Sequence, residues 1–223
     1  MRRSERKARC TNFHDFRSAS LATSAILSSA IDWTGDNPGI YLKDSADAPF
    51  RTLTVWFRIA HSRFGSGHAL VLFEDPTRTD GWPAVANVCI TDHDELARDL
   101  VTRFCTRFGA FRGAAAFDGL AYLPMRSHSF DGDGRRSSGL TVTAEGMEVV
   151  LRWDALGTPF AADVEPAQSA TGEHRMLSVF VESADASITV NGRRLPGKAF
   201  PRPFFGRSVS SAFLASSETW LHA

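Results

Sequence analysis

The clearest pattern of apolar and polar residues predicts a β-hairpin over residues 52–73. The segments TLTVWFRIA (52–60) and HALVLF (68–73) are rich in β-branched and aromatic residues, which favour strands. The connection at 62–67 contains two glycines, which permit the positive φ of a hairpin loop. Both alternating faces of these strands are largely apolar. The hairpin is therefore predicted to be covered on both sides, within a layered or closed sheet.

The pairing register within this hairpin determines which residues share a face. We predict a register that places His61 opposite His68. One face then carries only aliphatic and phenylalanine side chains: Leu53, Val55, Phe57, Ile59, Leu70 and Leu72. The opposite face combines aromatic, basic and aliphatic side chains: Trp56, Arg58, Val71 and Phe73.

A helix is predicted over residues 92–108. Its apolar residues recur at helical spacing and form one stripe: Leu96, Leu100, Val101, Phe104, Cys105 and Phe108. The acidic residues of its first turn suit the helix dipole, and Gly109 is a natural stop. An amphipathic helix of this kind is expected to pack on a sheet.

Turn dipeptides predict further hairpins in the second half of the chain. Glu145-Gly146 joins two predicted strands, and Asn191-Gly192 is the preferred dipeptide of a type I′ turn. Hairpins on both sides of one helix indicate an α+β fold. We predict a strongly curved antiparallel sheet or partial β-barrel, with the helix packed on one face. Residues 157–173 are predicted to be an irregular connection, and 208–220 fits either strand or helix.

The N-terminal residues differ from the rest of the chain. Residues 1–17 include the basic run MRRSERKAR and are predicted to be a flexible tail. Residues 18–223 are predicted to form one domain, beginning with a short helix at 18–31. No segment reaches the ~18 apolar residues of a membrane span. The three cysteines are irregularly spaced and lack a CxxC pair, which disfavours a disulfide framework. We therefore predict that the protein resides in the reducing cytoplasm.

Charge and motifs narrow the possible functions. Lys and Arg together number 25, as do Asp and Glu, and this zero net charge disfavours a nucleic-acid partner. The sequence contains no GxGxxG, P-loop, GxSxG or HExxH motif, so no cofactor is identified and no metal site is predicted.

The predicted 52–73 hairpin carries the candidate site residues. His61 and His68 are candidate catalytic residues, because two facing imidazoles can share proton-transfer work or, with a carboxylate, bind a metal. Trp56, Arg58 and Phe73 are candidate ligand-binding residues, because aromatic walls beside a guanidinium suit small carboxylates or phosphates. His14, His174 and His222 lie in segments with no clear context.

Three functional hypotheses follow. The first is a β-rich domain that binds a small molecule in a partly apolar cavity of its curved sheet. The second is an enzyme on the same scaffold that uses a histidine–carboxylate acid–base or metal site. The third is a protein–protein interaction module that uses the extended segment 200–205, although such segments also serve as straps that cover a sheet edge.

Overall fold

A computed structural model describes residues 26, 27 and 29–222. The predicted basic tail, and most of the predicted helix at 18–31, lie outside these residues. The described residues form 14 strands, one α-helix and three short 3-10 helices. These elements are β1 (Ile31–Asp36), β2 (Gly39–Lys43), β3 (Phe50–Ser62), β4 (Gly67–Phe73), β5 (Asn87–Thr91), α1 (Asp94–Arg103), 3-10 helices Cys105–Arg107, Ala115–Phe117 and Pro166–Gln168, β6 (Ala121–Gly132), β7 (Ser137–Ala144), β8 (Met147–Leu156), β9 (Phe160–Val164), β10 (His174–Val190), β11 (Arg193–Arg194), β12 (Pro201–Phe204), β13 (Arg207–Ser210) and β14 (Ala212–His222).

Nine strands close into a β-barrel. Their order is β14-β2-β3-β4-β5-β6-β7-β8-β10, and pairing of β10 with β14 closes the ring. Strand β1 lies between the same two strands as β2, since it pairs with both β14 and β3. The described part of the chain is mostly β, with 56% of its residues in strands. The expectation of a curved, strand-rich sheet is confirmed, but the sheet is a closed barrel and its helix is a minor element.

The barrel interior is filled by side chains. Apolar residues alternate along each strand, and those on one face meet inside. The largest of them are Trp56 and Trp153, and Trp153 donates a hydrogen bond from its indole Nε1 to the Gly39 carbonyl at 3.1 Å. The buried members of this core are Ile40, Leu42, Trp56, Leu70, Leu72, Ala86, Val88, Ile90, Leu140, Val142, Ala144, Met147, Val149, Leu151, Trp153, Ala186, Ile188, Val190, Leu195 and Ala212.

A second core covers the outer face of β3, β4 and β5. Helix α1 packs there through Leu96 and Leu100, together with Phe104 at the helix end. The predicted helix at 92–108 is therefore present but shorter, because a 3-10 turn follows it at Cys105–Arg107. The His93 side chain caps α1 by accepting a hydrogen bond from the Leu96 N–H. The helix links β5 to β6, which pair in parallel, so the sheet is not wholly antiparallel.

The register of the first hairpin differs from the prediction. Arg58, not His61, lies opposite His68. This shift of an odd number of residues exchanges the two faces of β4 relative to β3. Phe73 therefore joins Leu53 beneath the helix, while Leu70 joins Trp56 inside the barrel. The predicted grouping of Trp56 with Phe73 on one face is wrong.

The turn at Asn191-Gly192 is confirmed. Both residues have positive φ, 48° and 75°, as a type I′ turn requires. The strand that enters this turn is β10, which runs without a break over 17 residues. The connection predicted at 157–173 contains β9, which pairs with β10. The ambiguous segment 208–220 is strand, as part of β13 and β14.

Two further expectations concern cysteines and membranes. Cys89 and Cys105 are free and buried, as expected for small apolar core residues. Among the residues that the structure describes, no helix combines the length and apolarity needed to cross a membrane.

Replacing Leu100 with alanine is expected to lower the free energy of unfolding by about 2–5 kcal/mol, the usual range for a buried leucine. Leu100 is 1% exposed in the second core. Urea denaturation measures the change. Thr102→Ala, at an exposed position of the same helix, serves as the control and should stay within about 0.5 kcal/mol of wild type. A loss at Leu100 no larger than that of the control would contradict the packing described.

Candidate functional site

A cavity of about 110 Å³ lies on the outer face of the barrel, between strands β10 and β14 and the β12–β13 hairpin. We call it the Arg202 cavity. Its walls are mostly aromatic, and its polar groups include a guanidinium, a carboxyl and an amide. The residues that line it include Tyr41, Phe108, Met176, Phe180, Phe204, Phe213, Trp220, Arg202, Glu218 and Asn37.

The β12–β13 hairpin forms one wall of the Arg202 cavity. Its turn residues Phe205 and Gly206 both have positive φ, 44° and 79°, the combination that closes a tight two-residue hairpin. Phe204 packs edge-to-face on Phe180, with ring centroids 5.0 Å apart, whereas Phe205 at the rim is 49% exposed. The segment expected to be either a strap or a partner-binding surface is thus folded against the barrel.

Arg202 projects from β12 into a group of aromatic rings. Its guanidinium carbon lies 5.6 Å from the ring centre of Tyr41, 5.0 Å from that of Phe204 and 5.4 Å from that of Phe213. Burial lowers the pKa of this arginine. Its Nε is buried and has no hydrogen-bond partner, and no described carboxylate forms an ion pair with it. Arg202 is half-buried as a residue, and a guanidinium shielded by aromatic rings without an anion is unusual, because charges removed from solvent are normally paired.

A β-bulge in β14 brings Glu218 into the same cavity. Leu177 of β10 lies opposite Thr219, but Val179 lies opposite Ser216, so β14 contains one extra residue there. Ser217 has a positive φ of 54°, and its N–H donates to the Asp36 carboxylate at 3.1 Å. The side-chain alternation shifts by one residue at a bulge. The Glu218 side chain therefore points into the Arg202 cavity, and the residue is 3% exposed.

The Glu218 carboxyl is held by two neighbouring donors. The Trp220 indole donates to its Oε1 at 2.7 Å and the Asn37 amide at 3.2 Å. Burial raises the pKa of Glu218 to about 7, against the opposite effect of these hydrogen bonds. Near neutral pH the group is therefore present in both forms, and it is able to donate or accept a proton.

Three of the residues predicted from the sequence meet at one end of the barrel. Arg58 lies opposite His68 and donates from its Nε to Asp36 at 2.7 Å. Trp56 fills the interior beneath them, with its indole stacked on His68 at 5.4 Å between ring centroids. These residues belong to what we call the mouth cluster, formed by Trp56, Arg58, His68, Asp92 and His128.

The mouth cluster contains an oriented histidine. His68 Nδ1 lies 2.7 Å from Asp92 Oδ2, and its ring centre lies 4.3 Å from that of His128, a neighbour that sequence analysis did not select. Burial, and then the charge of His68, lowers the pKa of His128. A carboxylate that orients one imidazole beside another is able to support proton transfer.

The other two predicted residues lie apart from the mouth cluster. The His61 side chain is exposed and contacts no polar group or ring in the described part of the chain. Phe73 lies under the helix layer, with ring centroids 5.4 Å from Phe111 and 4.9 Å from Phe117. None of the five predicted residues lines the Arg202 cavity.

No family model, curated protein or solved structure matches this chain. The geometry of the Arg202 cavity and the mouth cluster is therefore the basis for a functional proposal.

The raised pKa of Glu218 makes stability depend on pH. The folded state holds this proton more tightly than the unfolded chain does, since the pKa rises from 4.5 to about 7. The contribution of Glu218 to stability is therefore fully present below pH 4.5 and falls as pH rises towards 7, by about 3 kcal/mol in total.

Glu218→Gln should remove this part of the pH dependence, so urea denaturation at pH 4.5 and pH 8 should show a smaller difference than wild type. Glu148→Gln, at an exposed position of β8, serves as the matched control and should keep the wild-type profile. Identical profiles for Glu218→Gln and wild type would refute the assigned pKa.

Proposed function

We propose that the protein binds a small carboxylic acid, aromatic or aliphatic, in the Arg202 cavity. The observation that carries this proposal is Arg202 itself, whose guanidinium lies among three aromatic rings and has no anionic partner in the described residues. A guanidinium presents a planar fork of donors that matches a carboxylate in two parallel hydrogen bonds. A bound carboxylate would supply the missing partner.

The aromatic walls support the apolar half of this ligand. Ligand cavities are generally lined by apolar side chains, with a few polar groups that fix the ligand's orientation. A dry protein cavity of about 150 Å³ holds benzene. At about 110 Å³ the Arg202 cavity is smaller but open to solvent, so it suits a short aliphatic chain or a single small ring whose edge or carboxylate remains at the opening. A larger ligand requires the β12–β13 hairpin to move outward.

Glu218 adds a pH dependence to this proposal. When protonated it is able to donate a hydrogen bond to a ligand oxygen, whereas its ionised form repels an anion in the same cavity. Because its pKa is about 7, affinity for a carboxylate should fall as pH rises through neutrality.

Benzoate titrated into the full-length chain tests the proposal, with isothermal calorimetry as the measurement. Arg202→Gln should weaken binding about 10- to 100-fold, because hydrogen bonds to charged groups contribute about 1.5–3 kcal/mol. Arg202→Lys keeps the charge but not the fork and should recover only part of the affinity.

Arg126→Gln is the matched control, since Arg126 is 62% exposed and its ion-pair partner is the exposed Glu145. It should bind benzoate as wild type does. Loss of binding in Arg58→Gln but not in Arg202→Gln would move the site to the mouth cluster. Equal affinity for benzyl alcohol and benzoate would show that no anion is recognised.

A further inference from the structure

Three adjacent strands bring an aspartate and two histidines together on the outer face of the barrel. Asp32 lies on β1, His174 on β10 and His222 on β14, the strand between them. His174 pairs directly with His222, and the donor atoms of the three side chains all lie within 4.8 Å of one another. We propose that these residues, the Asp32 triad, bind a divalent transition-metal ion such as Zn²⁺.

A β-bulge positions the carboxylate of the triad. Ile31 lies opposite Leu221 and Trp33 lies opposite Trp220, so Asp32 is an extra residue on β1. Bulges re-aim a side chain out of the normal alternation. Here the Asp32 carboxylate meets His174 Nε2, although the two residues are distant in sequence.

His174 is already held in the orientation that a metal ligand needs. Its side chain is 0% exposed, and its ring lies 5.2 Å from Phe104 and 5.9 Å from Trp220 between centroids. Its Nδ1 lies 2.9 Å from Thr171 Oγ1, which leaves Nε2 directed at Asp32. Metal-binding histidines generally use their second nitrogen in such a hydrogen bond, which fixes the ring and the tautomer.

His222 distinguishes a metal site from a simple ion pair. Arg103 donates to Asp32 Oδ2 at 2.6 Å, so Asp32, Arg103 and His174 alone would make a structural ion pair. The His222 imidazole forms no hydrogen bond or ion pair with the described residues, yet it lies against His174 at 5.2 Å between ring centroids. Asp32 Oδ1 remains for an ion, and ligating carboxylates are themselves hydrogen-bonded in metal sites.

The donor set selects the class of ion. Two imidazoles and one carboxylate suit first-row transition ions and disfavour Mg²⁺ and Ca²⁺, which prefer oxygen ligands. Ligands at about 2.0–2.2 Å from Zn²⁺ lie roughly 3.4 Å apart in a tetrahedral site. The donor atoms of the triad lie within 4.8 Å of one another, so an ion would replace the hydrogen bond between His174 and Asp32 and draw His222 closer. Three protein ligands leave one position open, and His222 is exposed, so the site is reachable from solvent.

Calorimetric titration of ZnCl₂ into the chelator-stripped, full-length chain without added histidines tests this site. Wild type should bind one ion in the triad and unfold at a higher temperature when Zn²⁺ is present. His222→Ala should lose both effects and, as a substitution at an exposed strand end, should still fold. Thr171→Val should bind Zn²⁺ about 10-fold more weakly. This is the lower limit of the loss in metal affinity when the hydrogen-bond partner that orients a histidine ligand is removed.

His61→Ala is the matched control, because His61 is exposed and outside the triad, and it should bind Zn²⁺ as wild type does. The proposal is overturned if wild type binds no Zn²⁺, or if His222→Ala binds it with unchanged affinity. Arg202→Gln should also retain Zn²⁺ binding, so failure of the carboxylic-acid proposal and failure of the metal proposal are separately detectable.

Discussion

The structure depends on one constraint: strands β3, β4 and β5 are apolar on both faces and must be covered twice. Closure of the barrel buries one face, where Trp56 and Leu70 meet the side chains of the far wall. Helix α1 and the segments around it bury the other face through Leu100 and Phe104. Strands with two apolar faces are stable only between two layers. Here the layers are the helix side and the far wall of the barrel, and apolar side chains fill the interior between the walls. The Arg202 cavity lies outside this core, in the outer layer beside the β12–β13 hairpin.

The carboxylates of the two proposed sites are positioned by bulges in the strands and not by regular strand geometry. The bulge at Ser217 turns Glu218 into the Arg202 cavity, and the bulge at Asp32 turns its carboxylate towards His174. Each inserts one residue and so reverses the alternation that a regular strand would follow. Trp220 contacts both sites, because its indole N–H bonds to Glu218 and its ring packs against His174, the hydrogen-bond partner of Asp32. The two proposed sites are thus neighbours built on the same strand pair.

Local patterns in the sequence predicted the helix and the turns well, but they predicted poorly which residues of neighbouring strands pair. Asn191-Gly192 and the apolar stripe of the helix depend on neighbouring residues, and the structure contains both features. No local pattern specifies the register that pairs Arg58 with His68 or the bulge of β3 at Ala60 against β1. Glu218 was not selected, because its burial follows from a serine with positive φ, a conformation that serine rarely adopts. The sequence left the 200–205 segment open between a strap and a partner-binding surface, and the surroundings of its arginine emerge only from the rings that the fold brings to it.

The central claim is that a ligand binds in the outer layer and not within the barrel. Nitrogen-15 NMR of the indole N–H groups tests it directly, because the five tryptophans report on different regions. Trp220 lines the Arg202 cavity, whereas Trp153 and Trp56 belong to the interior core. Saturation with benzoate should shift the Trp220 indole resonance and leave those of Trp153 and Trp56 in place. A shift at Trp56 or Trp153 with Trp220 unchanged would contradict the account.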